Sequence, residues 1–159
     1  MKRIVSVALA VGVVFLSGFG SAYAQDKKVE FSLNVGAMTV LGGDISFGAV
    51  LLTLTPQVDI LVAKGFLISP EVMFLTDTRF SGFAFLPGLV FNYLGNGFFV
   101  GGGAVVEVSV VDDMGARALL PKLNIGYRGR HVKLTAYLIT SPQALFETNL
   151  VGASVGYRF

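Results

Sequence analysis

Apolar and polar residues alternate one by one along most of the chain after about residue 28. The C-terminal stretch shows the pattern most clearly. One phase holds Val151, Ala153, Val155, Tyr157 and Phe159, and the other holds Leu150, Gly152, Ser154, Gly156 and Arg158. A repeat of two places successive side chains on opposite faces of a β-strand. The same repeat recurs in eight segments, which predicts eight strands. They lie near residues 30–37, 52–62, 68–74, 83–93, 103–110, 122–128, 132–138 and 150–159.

The connections between these segments alternate in length. Tight turns are predicted after the second, fourth and sixth segments, at 63–65, 94–97 and 129–130. The second of these contains Asn96-Gly97, which is the strongest short hairpin signal. Longer connections are predicted after the odd-numbered segments, at 42–44, 76–82, 112–115 and 141–147. Short turns at one end and longer loops at the other are typical of an antiparallel up-and-down membrane barrel.

The position of the charged residues indicates which face of this barrel is outside. Eight charged residues fall within the predicted strands, and all eight lie in the less apolar phase. They are Glu30, Asp59, Glu71, Glu107, Lys122, Arg128, Lys133 and Arg158. Four acids and four bases suit a mutually neutralised interior, while a Lys or Arg facing lipid at mid-bilayer would cost about 2–4 kcal/mol. A soluble lipocalin-type barrel is the alternative, but its outer surface would carry too few charges. We therefore predict an all-β, eight-stranded transmembrane barrel.

The N-terminal segment has the features of a secretory signal peptide. Lys2 and Arg3 precede an apolar stretch, and Ala22 and Ala24 supply the small residues of a cleavage site. We expect cleavage between Ala24 and Gln25, which makes residues 1–24 the signal peptide and residues 25–159 the barrel domain.

Composition excludes several classes of function. The chain is 53% hydrophobic and 14% charged, whereas about a quarter of the residues are charged in ordinary soluble domains. Once Lys2 and Arg3 are left out, bases and acids balance, so nothing points to a nucleic-acid partner. There is no cysteine and a single histidine, His131, so we expect neither a transition-metal site nor any cofactor. His131 follows a predicted short turn, and we interpret it as a rim residue without catalytic function. Asp112-Asp113 is interpreted as a solvated loop pair, although a calcium site remains open.

The last four residues, Gly156-Tyr157-Arg158-Phe159, carry a family resemblance. The chain resembles the small eight-stranded outer-membrane β-barrel proteins, the group that includes the OmpA transmembrane domain, OmpX and OmpW. In that group a terminal aromatic residue, with a hydrophobic residue two positions before it, is read by the barrel-assembly machinery, and Phe159 and Tyr157 match this pattern. The resemblance implies the outer membrane of a Gram-negative-type bacterium, with outer-membrane lipids and lipopolysaccharide as neighbours.

Four prolines fall inside predicted strands at similar positions, each followed two and four residues later by outward apolar residues. They are Pro56, Pro70, Pro87 and Pro121. Proline cannot donate to a β-ladder, and a closed barrel has no edge strand to accommodate it. We therefore expect a bulge or local kink at each one. Glycines 101–103 fall inside a strand and are expected to make room in a narrow lumen.

The inward charges are the candidate functional residues. Barrel closure should bring Arg158 towards Glu30, and Asp59 should lie near Glu71 across a hairpin, with a base between them. We predict a non-enzymatic barrel with a structural or envelope-integrity role and a charge-filled lumen. One alternative is a narrow or gated channel for ions or small solutes. Another is a surface interaction module, for which Phe80 and Phe146 are the only aromatic residues in the two longest outer connections, 76–82 and 141–147.

Overall fold

Eight antiparallel strands close into a barrel in the computed structural model of the chain, which describes residues 29–42, 47–80, 82–109, 116–140 and 148–159. Each strand pairs with the next, and β8 pairs with β1 to close the sheet. The strands are β1 (Val29–Gly42), β2 (Phe47–Ala63), β3 (Phe66–Asp77), β4 (Phe83–Gly95), β5 (Phe98–Ser109), β6 (Ala116–Arg128), β7 (Val132–Thr140) and β8 (Thr148–Arg158). The predicted fold class is confirmed. The predicted signal peptide and its cleavage site lie outside the described residues.

Three short turns join strands at one end of the barrel, which we call the short-turn end. They are Lys64-Gly65, Asn96-Gly97 and 129–131, all at predicted positions. Asn96 and Gly97 both have positive φ, 52° and 85°, as a type I′ hairpin turn requires. In the first turn only Gly65 has positive φ (80°), and the register shifts by one residue beside it, between Leu61 and Ala63. The opposite rim is called the loop end. The predicted loop at 76–82 is shorter than expected, because β3 continues to Asp77.

A bulge or a local kink was expected at each strand proline, and the expected bulges are absent. The four prolines lie inside β2, β3, β4 and β6, and the strand registers run past them without a shift. The irregularities in the register lie elsewhere, between Thr39 and Leu41, Leu61 and Ala63, and Glu107 and Val108. A residue in an antiparallel sheet directs its N–H to only one neighbouring strand, so a proline removes one ladder bond and leaves the other neighbour paired. A barrel with eight closed interfaces tolerates this loss without changing its register.

The outer face of the barrel is apolar along its height. Large hydrophobic side chains on all eight strands are exposed there, and among the side chains that the structure describes no charged one within a strand lies on that face. No helix among the described residues is long and apolar enough to cross a bilayer.

Paired aromatic rings form a belt at the short-turn end. Phe66 lies against Tyr93 and Phe98 against Tyr127, with ring centroids 5.2 and 5.3 Å apart. Phe159 contacts both Phe31 and Tyr157, at 5.4 and 5.0 Å. Tyr at a belt of this kind is the usual anchor at a membrane–water interface, since its ring is apolar and its hydroxyl polar.

Candidate functional site

The inward face of the barrel is divided into a polar half and an apolar half. Most of the buried polar side chains lie towards the short-turn end or near the middle. The whole buried polar set is Ser32, Asn34, Thr53, Thr55, Gln57, Asp59, Ser69, Glu71, Asn92, Lys122, Asn124 and Lys133. The predicted inward charges therefore do lie in the lumen, and most of them are bonded to one another.

Asp59 is the centre of the polar half. Its carboxylate lies 2.9 and 3.2 Å from the Lys133 ammonium, and both side chains are about 2% exposed. Gln57 Nε2 and Ser69 Oγ also donate to Asp59 Oδ1, at 2.9 and 2.7 Å. A buried carboxylate is tolerated when a paired charge and further donors replace its lost hydration. Asp59 has both, from three strands of the barrel.

Two rows of side-chain hydrogen bonds lead to Asp59. In the first, Asn124 donates to Asn92 and Asn92 donates to Ser69, at 2.9 and 3.0 Å. In the second, Asn34 approaches Gln57 Oε1 at 3.4 Å and donates to the carbonyl of Thr55 at 2.9 Å. In the first row, and in the Asn34–Gln57 contact of the second, each donor points towards the negative charge, so these dipoles stabilise the carboxylate together. No sequence signal distinguishes these amides from ordinary inward polar residues.

A second buried ion pair lies nearer the middle of the lumen. The Lys122 ammonium contacts the Glu71 carboxylate, and both side chains are fully enclosed. Lys122 also lies 5.0 Å from the centre of the Tyr137 ring, whose hydroxyl is 3.4 Å from Thr53 Oγ1. We expected a base between Asp59 and Glu71. The structure gives each acid its own lysine instead, Lys133 for Asp59 and Lys122 for Glu71.

The short-turn rim carries a three-residue charge cluster. Glu30 accepts from Arg128 Nη2 at 2.8 Å and from Arg158 Nη2. Arg158 also donates to the carbonyl of Gly129. Arg158 reaches Glu30 because β8 closes on β1, as the sequence suggested. Two guanidinium groups share one carboxylate, so this cluster has a net positive charge.

Glu107 does not join the charge network, which corrects the expectation of four acids and four bases in one network. It is partly exposed and lies two residues from the loop-end terminus of β5. No base among the described residues pairs with it. Val105 and its partner Leu120 lie between Glu107 and the polar half. The structurally defined network therefore has three acids and four bases.

An apolar cluster fills the lumen towards the loop end, and it was not predicted from the sequence. Its buried members are Met38, Met73, Leu75, Leu86, Val105, Leu120, Tyr137 and Ile139, with Leu51, Ala84, Ala118 and Leu150 packed against them. In the sequence, Leu86 only blurs the alternation of β4. The signal was present as apolar residues in the inward phase near the loop-end terminus of several strands.

Inward glycines allow the large lumen side chains to fit. A Cβ on Gly152 would lie 2.5 Å from the Tyr137 ring, and one on Gly126 would lie 2.5 Å from the Phe99 ring. A Cβ on Gly101 would overlap the side-chain oxygen of Asn92. Of glycines 101–103, which were expected to make room in a narrow lumen, Gly101 does so, whereas a Cβ on Gly102 would meet the outward Leu123 and one on Gly103 would meet the backbone of β4.

The remaining candidate residues lie outside the lumen. His131 is exposed in the turn between β6 and β7, and its ring stacks on Tyr157 at 6.0 Å. Within the described ranges no group of three His, Asp or Glu side chains could hold a metal ion. Phe80 is 62% exposed in the connection between β3 and β4. Asp112, Asp113 and Phe146 lie outside the described residues.

Comparison with known proteins identifies the fold. No family model matches the sequence, and no curated protein matches it. The chain is similar to a designed transmembrane β-barrel, with a TM-score of 0.56 and 10% identity over 85% of this chain and 98% of that one. It is also similar to the N-terminal β-barrel domain of Pseudomonas aeruginosa OprF, with a TM-score of 0.54 and 13% identity over 85% and 100%. The chain thus has the fold of the small eight-stranded outer-membrane barrels, as the sequence resemblance implied.

Proposed function

We propose that this protein is a non-catalytic outer-membrane barrel of a Gram-negative-type envelope, with a closed lumen and a structural role. The observation that carries the proposal is the filled interior. The Asp59–Lys133 and Glu71–Lys122 pairs occupy the polar half, and the apolar cluster occupies the loop-end half. Eight strands enclose an interior just wide enough for side chains. Among the described residues, these two groups of side chains support a lumen without a permanent pore.

The energetics of the lumen favour the closed state over a gate. A water path would have to separate buried ion pairs, and losing one partner of such a pair costs about 3–5 kcal/mol. It would also have to wet the apolar cluster, which includes Met73, Leu86 and Ile139 at 1–3% exposure. A gate that moved only the charged residues would leave this apolar half closed. The gated-channel alternative therefore needs two separate rearrangements.

Planar-bilayer recording of refolded residues 25–159 tests the closed lumen. The expected result is a silent bilayer at neutral and at acidic pH, with insertion shown by heat-modifiable migration in gels. A variant carrying Met73→Ser, Leu86→Ser and Leu120→Ser serves as the positive comparison, since it makes the apolar half polar and should raise the conductance. Discrete steps from the unmodified protein would contradict the proposal and favour the channel.

The structural role is tested in cells that lack the gene. Their sensitivity to detergent should increase, and the unmodified gene should restore resistance. The double variant Asp59→Leu/Lys133→Met should restore it equally well, because a structural barrel needs a filled lumen and not those charges. Failure of this variant, despite normal amounts in the membrane, would show that the charges themselves have a function.

A further inference from the structure

A groove lies on the outer, lipid-facing side of the barrel, across β5 to β8 and β1. Its volume is about 590 Å³, and aromatic and branched residues such as Phe98, Tyr127 and Val155 line it. Between these larger side chains lie Ala136 and Ala153, which are cross-strand partners on β7 and β8. Because their side chains are single methyl groups, the outer surface is recessed here relative to the larger side chains around them. The result is a shallow apolar depression in the outer surface.

One end of the groove lies next to the turn at 129–131. Of the three short turns, only this one contains an arginine. Tyr127 pairs with Leu134, the next pair is Arg128 with Lys133, and the turn at 129–131 follows. Arg130 is exposed in this turn. The charged and titratable groups around it are Arg128, Arg158, Glu30, His131 and Lys133. Lys133 is neutralised by Asp59, and Arg128 and Arg158 share Glu30 inside the wall, so Arg130 is the guanidinium group that this rim exposes.

Two of these guanidinium groups have unused donors. The Nε atoms of Arg128 and Arg158 are buried and have no hydrogen-bond partner. A buried N–H without an acceptor is unfavourable, and for a charged group the cost is greater. These Nε atoms lie on the lumen side of the wall, so what the rim presents to an outer headgroup is its net positive charge and the exposed Arg130.

We propose that this face binds one anionic glycerophospholipid of the inner leaflet. An acyl chain would occupy the groove, and the phosphate would lie at the rim beside Arg130. The inference rests on the proposed membrane location and adds a specific lipid to it. Near a membrane surface, each basic residue strengthens the binding of an anionic lipid by about fivefold. The aromatic belt at Tyr127 and Phe98 places this rim at headgroup depth.

Charge argues for a lipid and against a second copy of the chain. Two barrels that met groove to groove, related by a twofold axis along the membrane normal, would bring their Arg130 turns together. Their positive rims would then repel each other. A lipid phosphate has the opposite charge, and a flexible acyl chain can fill a concave surface.

The chain provides a matched control groove. A second concave patch, of about 510 Å³, is lined by Pro87, Leu89, Phe91, Ala104 and their neighbours on β4 to β6. The nearest short turn, Asn96-Gly97, carries no charge. A residue that fills this patch changes the outer face by the same amount without affecting the proposed headgroup site.

The experiment uses the refolded barrel in vesicles that contain equal amounts of phosphatidylglycerol and phosphatidylcholine with the same acyl chains. The barrel is extracted in mild detergent, and native mass spectrometry counts the lipids that remain bound. We expect one retained lipid, with phosphatidylglycerol favoured several-fold. Arg130→Gln should lower that preference about fivefold. Ala136→Leu/Ala153→Leu should abolish retention of both lipids.

The controls are Lys64→Gln, which removes a base from another short turn, and Ala104→Leu in the second groove. Both should retain lipid as the unmodified barrel does. Equal retention of the two lipids, or an Arg130→Gln variant that behaves like the unmodified protein, would overturn the proposal. A dimer mass in place of a lipid adduct would assign the groove to a second copy. Failure to insert into any vesicle would instead contradict the membrane location.

Discussion

At the scale of single residues, Asp59 determines how the polar half of the lumen is arranged. It accepts from Lys133, Gln57 and Ser69, and the buried amides of other strands donate towards it. A buried ion pair adds little net stability, because desolvation offsets most of the attraction between the charges. The loss of one partner is different, since the other charge stays buried without compensation. Asp59 and Lys133 should therefore behave as a unit.

We expect Asp59→Asn to lower the free energy of unfolding by about 3–5 kcal/mol, because the Lys133 ammonium then stays buried without a counter-charge. The double variant Asp59→Leu/Lys133→Met should recover most of this loss, since it fills the same space without charge. Urea unfolding in lipid vesicles, followed by far-UV circular dichroism, measures both; the chain contains no tryptophan for fluorescence.

Lys64→Met, in an exposed turn, is the control and should change stability by no more than about 0.5 kcal/mol. If Asp59→Asn were as stable as the unmodified protein, Asp59 would not be the electrostatic centre described above.

The sequence predicted which side of the barrel wall a charged residue faces more fully than it predicted that residue's ion-pair partner. Alternation alone placed Glu30, Asp59 and Lys133 inside the barrel, and closure of β8 on β1 brought Arg158 to Glu30. The pairing of Lys122 with Glu71 could not be predicted, because it depends on the stagger accumulated over β3 to β6. Glu107 was wrongly included for the same reason. Its phase is correct, but its height in the barrel separates it from the bases.

At the scale of strands and turns, the short turns define the registers. Asn96 and Gly97 both adopt positive φ, so β4 and β5 are joined by the turn whose twist suits paired strands. The pairing of β4 with β5 then keeps one register, from Gly95 opposite Phe98 to Ala84 opposite Ser109, across the position of Pro87. The bulges expected at the prolines are absent because the turns and the closure of the barrel constrain the register of every strand. The sequence argument considered only the local preference of proline.

Gly97→Ala should destabilise the barrel by about 1–2 kcal/mol, because an L-residue with a side chain is strained at a φ of 85°. Its Cβ would also lie 3.0 Å from the Tyr127 ring. Equilibrium unfolding in vesicles measures the change. Gly95→Ala in the same hairpin is the matched control, since a Cβ there makes only an ordinary 3.7 Å contact, with Tyr93. Equal stability of the two variants would show that the turn conformation does not limit stability.

At the scale of the whole molecule, the lumen is layered along the barrel axis. The Glu30 cluster lies at the short-turn rim, the Asp59 and Glu71 ion pairs follow, and the apolar cluster lies towards the loop end. Alternation predicts which side of the wall a residue faces and leaves its height undetermined. The number of strands, the closure and the sidedness were therefore predictable. The apolar cluster was not, because it becomes visible only when all eight strands have their registers.

The C-terminal residue raises a question about assembly of the whole barrel. Phe159 donates its N–H to the carbonyl of Phe31, and its ring contacts Phe31 and Tyr157. These contacts give it a structural role in the aromatic belt. The family resemblance implies a second role, recognition by the assembly machinery, which stays a prediction. Phe98 is a suitable comparison, because it lies in the same belt, pairs with Tyr127 and is similarly exposed, 64% against 68% for Phe159.

When refolded in vesicles, Phe159→Ala should lose more stability than Phe98→Ala, since it removes two aromatic pairs where Phe98→Ala removes one, each worth about 0.5–1.5 kcal/mol beyond the buried area. In cells we expect only Phe159→Ala to reduce the amount of heat-modifiable protein in the outer membrane, because only the terminal ring matches the assembly signal. Quantitative immunoblotting of boiled and unboiled membranes measures this amount. If both variants assembled equally well, Phe159 would be an interface aromatic like Phe98, and the assembly signal would have to lie elsewhere in the chain.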